Sequence, residues 1–494
     1  MNKIICILGP ALLLAELTVH GETNQLKSLP LRECVERALA NNIEIRAERI
    51  NPGLQTWSII GAQGVYDPLL SGGLKYQDST VPQDSPTPAL TQQAFQPTLD
   101  LSGKLPTGAA YDFNANANRI SGNVLTNFLY TGSQQEGGVS MSLNQPLLKN
   151  FGLGVNSYHI RIARKSKAIA VQNFIQLVMT KITLVSSAYY ELIFAIEDHK
   201  AKVEDLNQAK QLLAEDQRRV QVGVLTPLDV TQAEAGVAER EQAVILAART
   251  IKDNENTLKR FICREVTEFR GLTLVPTDYP LVQMIQTDVA ESTRTALTRR
   301  PDYLSAKEVL EKQNITVQYN RNQLWPEINL QGSYGLNGRG HSFGGYTDNL
   351  TSGDNPVWGV GVAISIPLGN RQARSLYHIA RLDADQQLLN LKALEQDIIV
   401  QVDNAVGHVE ANLESVKAAH EATRLAQESL EAEKKKLLAG TSTTFLVLQA
   451  QAQLATARSA EIRARSDYSE SLVALDQAEG TTLSKNNIVL KLDD

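Results

Sequence analysis

Apolar and polar residues alternate along two regions of the chain, residues 67–146 and residues 326–368. Within the first region the alternation is regular over residues 69–77, 95–105, 109–118 and 138–145. A period of two with one apolar face predicts β-strands. The sequence Leu-Pro-Thr-Gly at residues 105–108 predicts a tight turn that joins two of these strands.

Two long stretches of the chain have almost no helix-breaking residues. Residues 155–222 contain no Gly or Pro, and residues 371–439 contain one Gly. As a helix, each stretch would be about 100 Å long. Apolar residues recur every seven positions in both, at seven of eight positions counted from Val171 and at six of eight counted from Leu388. This period predicts helices that supercoil against their neighbours.

The two halves of the chain are copies of one pattern. The seven-residue seams begin at Val171 and Leu388, and the breaks at Gly223 and Gly440 follow these positions at equal distances. Similar segments flank both strand regions, but the first strand region is nearly twice as long as the second. The excess is enough for one extra β-hairpin or one long loop. The sequence predicts a duplication of helix, strands, long helix, turn and helix.

The chain begins with the features of a secretory signal peptide. Lys3 precedes an apolar run at residues 4–15, and small and polar residues follow as far as Gly21. This pattern predicts export with cleavage near residue 21. The mature chain keeps Cys34 and Cys263, and two isolated thiols pack as small hydrophobic residues more often than they pair.

Composition narrows the classes of function. With 43% hydrophobic residues and a net charge of −6, the chain is neither disordered nor a nucleic-acid binder. The apolar run at residues 4–15 is too short to span a bilayer, which excludes a bundle of membrane helices. The sequence contains no zinc-protease motif, phosphate-binding loop or nucleophile elbow. We therefore predict no catalytic activity, no cofactor and no metal site.

Export, alternating strands and very long helices together indicate an outer-membrane protein. Strands of about ten residues with an apolar outer face suit a barrel in lipid. One chain supplies few strands, and an open sheet would leave its edges unsatisfied in lipid. Several chains must therefore share one barrel. A periplasmic coiled-coil tether without a pore is the alternative of another class, and the alternating strands favour the barrel.

Four segments carry a resemblance to a known family. They are residues 31–42 (LRECVERALANN), residues 145–152 (QPLLKNFG), residues 222–230 (VGVLTPLDV) and the weaker copy of the latter that begins at Gly440. In this order, and with the duplication, the chain resembles the TolC-like outer-membrane efflux proteins over nearly its whole mature length. The resemblance implies an α+β membrane protein. Its expected assembly is a homotrimer with one shared antiparallel β-barrel in the outer membrane and a coiled-coil α-helical barrel in the periplasm.

The resemblance also implies a function and partners. The chain would be the passive exit duct of a tripartite efflux pump for drugs, metals or other toxic small molecules; a type I protein secretion duct is the alternative. A periplasmic adaptor protein would dock on the hairpin turns, and an inner-membrane transporter would supply the energy. The residues implied for docking are Gly223, Val224, Leu225, Thr226, Pro227, Gly440, Thr441, Ser442 and Thr443.

Candidates for a periplasmic gate lie beside these turns, at Asp229, Leu437, Phe445, Leu446 and Gln449. Some relatives place acidic residues just past the second turn, where this chain has Leu446 and Gln449. An acidic ring therefore does not carry over to these positions. We expect apolar contacts at Leu437, Phe445 and Leu446 to narrow the end of the helices instead.

The sequence predicts eight segments. They are a signal peptide (1–21), an N-terminal periplasmic helical segment (22–66), barrel strands of the first repeat (67–146), a long helical hairpin with its turn near 223–227 (147–270), an equatorial segment with the first helix of the second repeat (271–325), barrel strands of the second repeat (326–368), a second helical hairpin with its turn near 440–444 (369–480) and a C-terminal periplasmic tail (481–494). Two strands per half would give a trimer of 12 strands, whereas six per chain would give 18, and the sequence fits both.

Overall fold

The computed structural model of the chain describes residues 25–81, 90–122, 133–265, 272–278 and 287–490. The predicted signal peptide lies outside the described residues. The elements in chain order are β1 (Gln25–Leu29), α1 (Leu31–Asn41), α2 (Ile43–Glu48), α3 (Ile50–Gln63), β2 (Leu69–Val81), β3 (Leu90–Lys104), β4 (Ala110–Gly122), β5 (Gln134–Pro146), α4 (Leu153–Asn156), α5 (Tyr158–Gln221), α6 (Pro227–Ile262), β6 (Leu272–Pro276), α7 (Val289–Arg299), α8 (Pro301–Asn322), β7 (Glu327–Gly340), α9 (Phe343–Thr351), β8 (Pro356–Ser365), α10 (Arg371–Leu438), α11 (Thr444–Glu479) and α12 (Thr482–Lys485).

Six strands form one sheet in the order β2-β3-β4-β5-β7-β8, with antiparallel neighbours throughout. The first repeat supplies four of them and the second repeat two. The alternative of two strands per half is therefore wrong for the first half, and each chain contributes six. The extra length of the first strand region forms an additional hairpin rather than a long loop.

A tight turn at residues 105–108 joins β3 to β4, as the sequence predicts. Leu105 N donates to Ala109 O at 2.7 Å, and Gly108 N donates to Leu105 O at 2.8 Å. Gly108 has φ +97°, a conformation that favours glycine. Gly152 N, just before α4, donates to Thr107 O at 3.1 Å. The extra hairpin therefore turns at the end of the sheet from which the chain continues into the helices.

The boundaries of the elements confirm the duplication. Helices α6 and α11 contain 36 residues each. Each begins at the same distance past its glycine break, and α5 and α10 end at equivalent positions before these breaks. The break between α1 and α2 falls at Asn42, with ψ 123°, and the break between α7 and α8 falls at Arg300, with ψ 124°. The two repeats therefore share the order of their long helices and the limits of those helices at the turns.

Burial confirms the seven-residue seam in the second repeat. The buried seam positions of α10 are Val402, Val409, Val416, Leu430 and Leu437. Those of α11 are Val447, Leu454, Tyr468 and Leu475. The predicted fold class, an internally duplicated α+β protein with an antiparallel sheet and long packed helices, is confirmed.

The chain divides into two units. The first contains the described residues of Met1–Ile43, Lys181–Met284 and Val409–Val473. Within it, β1 and β6 pair in parallel. The buried Tyr189 hydroxyl accepts hydrogen bonds from Thr277 N and Asp278 N, both at 3.2 Å, and donates to Leu29 O at 3.1 Å. Burial raises the pKa of Tyr189 to about 12, so this side chain ties both strands to α5 as a neutral group.

Cys34 and Cys263 both lie in this first unit, and their thiols are buried. Burial raises the pKa of Cys34 to about 12, so its thiol stays protonated and unreactive at neutral pH. The packing of the two thiols as small hydrophobic residues is confirmed, and they do not form a disulfide.

The second unit contains the described residues of Glu44–Thr180, Ile285–His408 and Ala474–Asp494, which include the sheet. The start of α5 packs on α8, where Lys165 Nζ lies 2.8 Å from Glu308 Oε2 and the rings of Tyr158 and Tyr319 stack at 4.2 Å. Helix α9 lies between β7 and β8, where the alternation alone predicts no helix. It packs on β7, and the hydroxyl of its Tyr346 donates to Asn116 O of β4 at 3.2 Å.

One helix in the described part of the chain, α5, contains a window of residues apolar enough to cross a membrane by length and composition. A buried core helix passes the same criterion. The apolar residues Phe174, Val178, Met179 and Ile182 of α5 are buried within the chain.

Candidate functional site

The sheet has one apolar and one polar face. Paired residues share a face, and successive residues along a strand alternate between faces. One row across all six strands is apolar: Leu70, Leu101, Phe113, Met141, Tyr334 and Trp358. The next row, on the opposite face, is mostly polar or small: Ser71, Asp100, Asn114, Ser140, Gly335 and Val357. A sheet of this kind separates lipid from water.

The apolar face is exposed in the single chain. Leu74, Trp358 and Val360 have 77%, 72% and 74% of their surface exposed. Strands β2 and β8 are the edges of the sheet, so their outer N–H and C=O groups have no partner strand within the described residues. Such edges are not stable in a bilayer, because lipid offers no hydrogen bonds. In a bilayer, both edge strands, β2 and β8, therefore need to pair with a further strand.

The first helical turn (residues 222–226) joins α5 to α6. Gly223 has φ +77°, and Val224 N donates to Arg219 O at 2.9 Å, which closes α5 with a left-handed glycine. Thr226 precedes Pro227, the first residue of α6. The Asp229 carboxylate accepts hydrogen bonds from Thr226 N at 2.9 Å and Thr226 Oγ1 at 2.7 Å, which fixes the start of α6.

The second helical turn (residues 439–443) joins α10 to α11 with the same backbone. Gly440 has φ +75°, and Thr441 N donates to Lys436 O at 2.9 Å. Ser442 Oγ hydrogen-bonds to Glu433 of α10. This hydrogen bond and Lys436 lower the pKa of Glu433, so its carboxylate stays ionised and ties the turn to its helix.

A small hydrophobic cluster supports both turns, and we call it the tip cluster. It consists of Leu212 from α5, Leu430 and Leu437 from α10, and Val447, Ala450 and Leu454 from α11. Leu448 packs against it, and a Cβ added at Gly236 of α6 would lie 3.3 Å from Leu448 Cδ2. The ends of all four long helices are therefore packed together within the first unit.

The structure places the five gate candidates in three different environments. Asp229 fixes the start of α6, as described above. Leu437 is 8% exposed and belongs to the tip cluster, so it supports the turn from inside the chain. Phe445, Leu446 and Gln449 lie on the surface of α11, where Phe445 is 58% exposed. These three can reach a neighbouring molecule or a lumen, and Leu437 cannot.

Sequence reasoning missed one conspicuous residue at this end of the helices. Asp216 of α5 is 0% exposed, and neither of its carboxylate oxygens has a hydrogen-bond partner in the described part of the chain. Burial raises its pKa, and the Thr444 side chain and Arg219 act in the opposite direction. The duplication contained a signal for it, because Asp216 and Glu433 occupy the same position before the glycine breaks of the two repeats.

An antiparallel sheet with a lipid-type face and open edges indicates an integral membrane protein. No group of residues suited to a metal ion is found in the described ranges. The family model described as "Outer membrane efflux protein" matches residues 88–263 and 293–481. The chain belongs to the outer membrane efflux protein family.

Solved structures agree in fold. The chain is similar to the outer-membrane channel OprN (17% identity, 91% of this chain and 90% of that chain covered, TM-score 0.68). It is also similar to VceC from Vibrio cholerae (16%, 91% and 96%, TM-score 0.66) and to the CmeC channel of Campylobacter jejuni (16%, 92% and 86%, TM-score 0.64). No curated protein sequence gives a significant match. The chain is thus an outer-membrane efflux channel and not an enzyme, as the sequence predicts.

Proposed function

We propose that three copies of this chain close one β-barrel of 18 strands in the outer membrane. The observation that carries this proposal is the six-stranded sheet with one lipid-type face and two open edges. Because all neighbours are antiparallel and the number of strands is even, β8 of one copy meets β2 of the next in the antiparallel sense. Closure satisfies both edges at once.

The helices of the first repeat support assembly with neighbouring copies. In α11 the seam residues Val447 and Leu454 are buried, whereas their counterparts Val230 and Val237 in α6 are only half-buried. Nearby, Ile245 and Leu246 are 68% and 60% exposed. An apolar seam exposed in one copy is what a neighbouring helix covers in a coiled-coil barrel.

The two helical turns are the proposed docking site of a periplasmic adaptor protein. Large apolar side chains protrude there: Val222, Val224 and Leu228 at the first turn, and Leu438, Phe445 and Leu446 at the second. Arg218, Lys434 and Lys435 are exposed beside them and form no ion pair among the described residues. An apolar surface with a charged border is typical of a protein–protein interface. Through the adaptor, an inner-membrane transporter supplies the energy.

The surface residues of α11 are the proposed gate. Phe445 and Leu446 narrow the periplasmic end of the duct by apolar contact between copies, while Leu437 holds the turn in place from the tip cluster. The cargo consists of small toxic molecules, in line with the efflux family to which the chain belongs. The non-pore tether and the protein secretion duct are not favoured.

Gel migration and bilayer conductance test the assembly and the pore together. The purified protein should migrate as a trimer that collapses to the monomer position on heating, and it should conduct ions in planar bilayers. A soluble monomer without conductance would refute the proposal.

The gate has a separate test. Leu446→Ser should raise the resting conductance, because water enters an apolar constriction once one side chain becomes polar. Leu438→Ser is the matched control, since Leu438 ends α10 at the second turn and lies outside the proposed gate. An unchanged low conductance in Leu446→Ser would exclude the apolar gate.

A further inference from the structure

The end of the helical bundle contains a buried carboxyl group without a hydrogen-bond partner. Asp216 lies one helical turn beyond Leu212 on α5 and continues the face that forms the tip cluster. Neither of its oxygens has a hydrogen-bond partner of normal geometry in the described residues, and the Thr444 side chain is its polar neighbour. An ionised carboxylate in such a place is expensive to keep out of water, and a neutral carboxyl group is far less so.

The group faces the other repeat. Thr444, the first residue of α11, is 0% exposed, and its hydroxyl likewise has no partner of normal geometry among the described residues. The Thr444 side chain lowers the pKa of Asp216, which places the two groups side by side. Two polar groups from different hairpins are thus enclosed together, each without another partner.

Few charges compensate this carboxyl group. Glu215 and Arg219 of α5 and Asp229 of α6 are the charged groups that act on it, and only Arg219 favours its ionised form. From α10, the tip cluster receives the apolar side chains Leu430 and Leu437. Burial exceeds all other influences and raises the pKa of Asp216.

The equivalent acid of the second repeat lacks this arrangement. Glu433 has a longer side chain that reaches Ser442 in its own turn and Lys436 on its own helix. At the first turn the counterpart of Ser442 is Leu225, which offers no hydroxyl group. The carboxyl group of Asp216 therefore has no partner in its own hairpin, and it is enclosed between the two hairpins instead.

We propose that Asp216 couples ionisation to opening of the duct. Its carboxyl group is neutral while it is enclosed against Thr444, and it becomes ionised and hydrated when the ends of α5 and α11 separate. The inference rests on the proposed function, because it needs a pore whose periplasmic end opens and closes. It adds to that function the residue that makes opening depend on pH.

The direction of the effect follows from linkage. In the closed end the pKa of Asp216 is raised, while in the open, hydrated end it returns towards its usual value of about 3.9. Between these two pKa values, rising pH favours the form that releases the proton, which is the open one. The ratio of open to closed ends should therefore rise by up to tenfold per pH unit for each chain, and it should level off above the raised pKa.

Conductance of the full-length trimer in planar bilayers, at pH 4 to 8 on the periplasmic side, tests this inference. The wild type should open progressively as pH rises. Asp216→Asn should stay in the low-conductance form with no rise, because its side chain is neutral at every pH. Thr444→Val removes a group that lowers the pKa of Asp216, so the rise should extend to higher pH.

Glu215→Gln is the matched control, since it removes an exposed carboxylate from the adjacent position of the same helix. Because the Glu215 charge raises the pKa of Asp216, this variant should keep the rise with pH but shift it to lower pH. Heat-modifiable migration on gels verifies that each variant is an assembled trimer. The inference is overturned if the wild type shows no pH dependence or if Asp216→Asn keeps it. An assembled trimer that conducts at no pH would instead refute the proposed pore itself.

Discussion

The two helical turns have the same backbone but different acids behind them. Their closing hydrogen bonds are both 2.9 Å long, and their glycines have φ +77° and +75°. Behind the second turn, Glu433 is ionised and tied to Ser442. Behind the first, Asp216 is buried without a partner in the described residues. The two repeats thus share the backbone geometry of the turn, but the acidic side chains beside it have different environments.

The same contrast extends along α6 and α11. Both have 36 residues and the same seven-residue period, yet near the turn α11 buries its seam residues Val447 and Leu454, whereas α6 leaves Val230 and Val237 half-buried. In the half of α6 nearer the turn the buried positions are Ala233, Arg240 and Ala247, with Arg240 Nε 2.8 Å from Asp205 Oδ2. One periodic sequence therefore serves packing within the chain in one repeat and leaves an apolar seam for assembly in the other.

The largest predicted effect is a difference between substitutions in these two seams. Leu454→Ala should lower the free energy of unfolding by about 2–5 kcal/mol, because it leaves a cavity in the tip cluster. Val237→Ala, at the corresponding position of α6, should cost the single chain about 1 kcal/mol but weaken trimer assembly. Urea unfolding followed by helical circular dichroism reports the first effect, and trimer dissociation on gels reports the second. If both variants had equal effects on both measurements, the two seams would not differ in their roles.

The two acids should give opposite dependences of stability on pH. Asp216 has a raised pKa when folded, so its contribution to stability is lost as pH rises through that pKa. Glu433 has a lowered pKa, so its contribution is lost as pH falls through that pKa. Asp216→Asn should therefore stabilise the protein at pH 8, by about 1–3 kcal/mol.

Glu433→Gln should instead destabilise the protein slightly at pH 8, and this effect should shrink as pH falls towards 3. Melting temperatures of both variants between pH 3 and 8 measure these slopes. If the effects of the two variants on melting temperature changed with pH in the same direction, the two acids would occupy similar environments.

The two glycines of the turns should behave alike. Gly223→Ala and Gly440→Ala should each destabilise the protein by about 1 kcal/mol, because alanine is strained at positive φ although space for its Cβ is open. Gly407 of α10 also has open space around it, but its φ is not positive, so Gly407→Ala should be stabilising. Thermal melting of the three variants is sufficient. A clear difference between the first two would show that one turn does more than end a helix.

The smallest effect should come from the residues that start α6 and α11. Thr226→Ala removes the hydroxyl that donates to Asp229, and Thr443→Ala removes a weaker contact with Leu446 N at 3.4 Å. We expect the free energy of unfolding to fall by about 1 kcal/mol for the first variant and by about 0.5 kcal/mol for the second. Hydrogen exchange of the backbone amides at the N-terminal ends of α6 and α11 would detect these differences. Equal protection losses would mean that the capping acid of α6 adds nothing.

Much of this fold follows from local periodicity. The period of two located all six strands of the sheet, and the correspondence between Gly223 and Gly440 placed both turns correctly. The number of strands per chain was less accessible, because an extra hairpin and a long loop need the same length of chain. Only the pairing of β3 with both β2 and β4 distinguishes them.

What the sequence could not supply depends on distant contacts. The parallel pair of β1 and β6 joins the start of the first repeat to the segment that follows its helical hairpin, and it has no local signal. At the helix ends, the periodic pattern marks Leu437 as apolar but not as enclosed by Val447 and Leu454. In the sequence, Asp216 is one more charge on a long helix. Its burial arises only when the second hairpin covers it.

The even number of strands has a consequence for the number of copies in the assembly. Because β2 and β8 run in opposite directions, the edges of two adjacent copies match in the same antiparallel way in a ring of any size. The sheet therefore joins copies without specifying how many there are. In the proposed assembly, the packing of the long helices then sets the angle between neighbouring copies, and with it the width of the barrel.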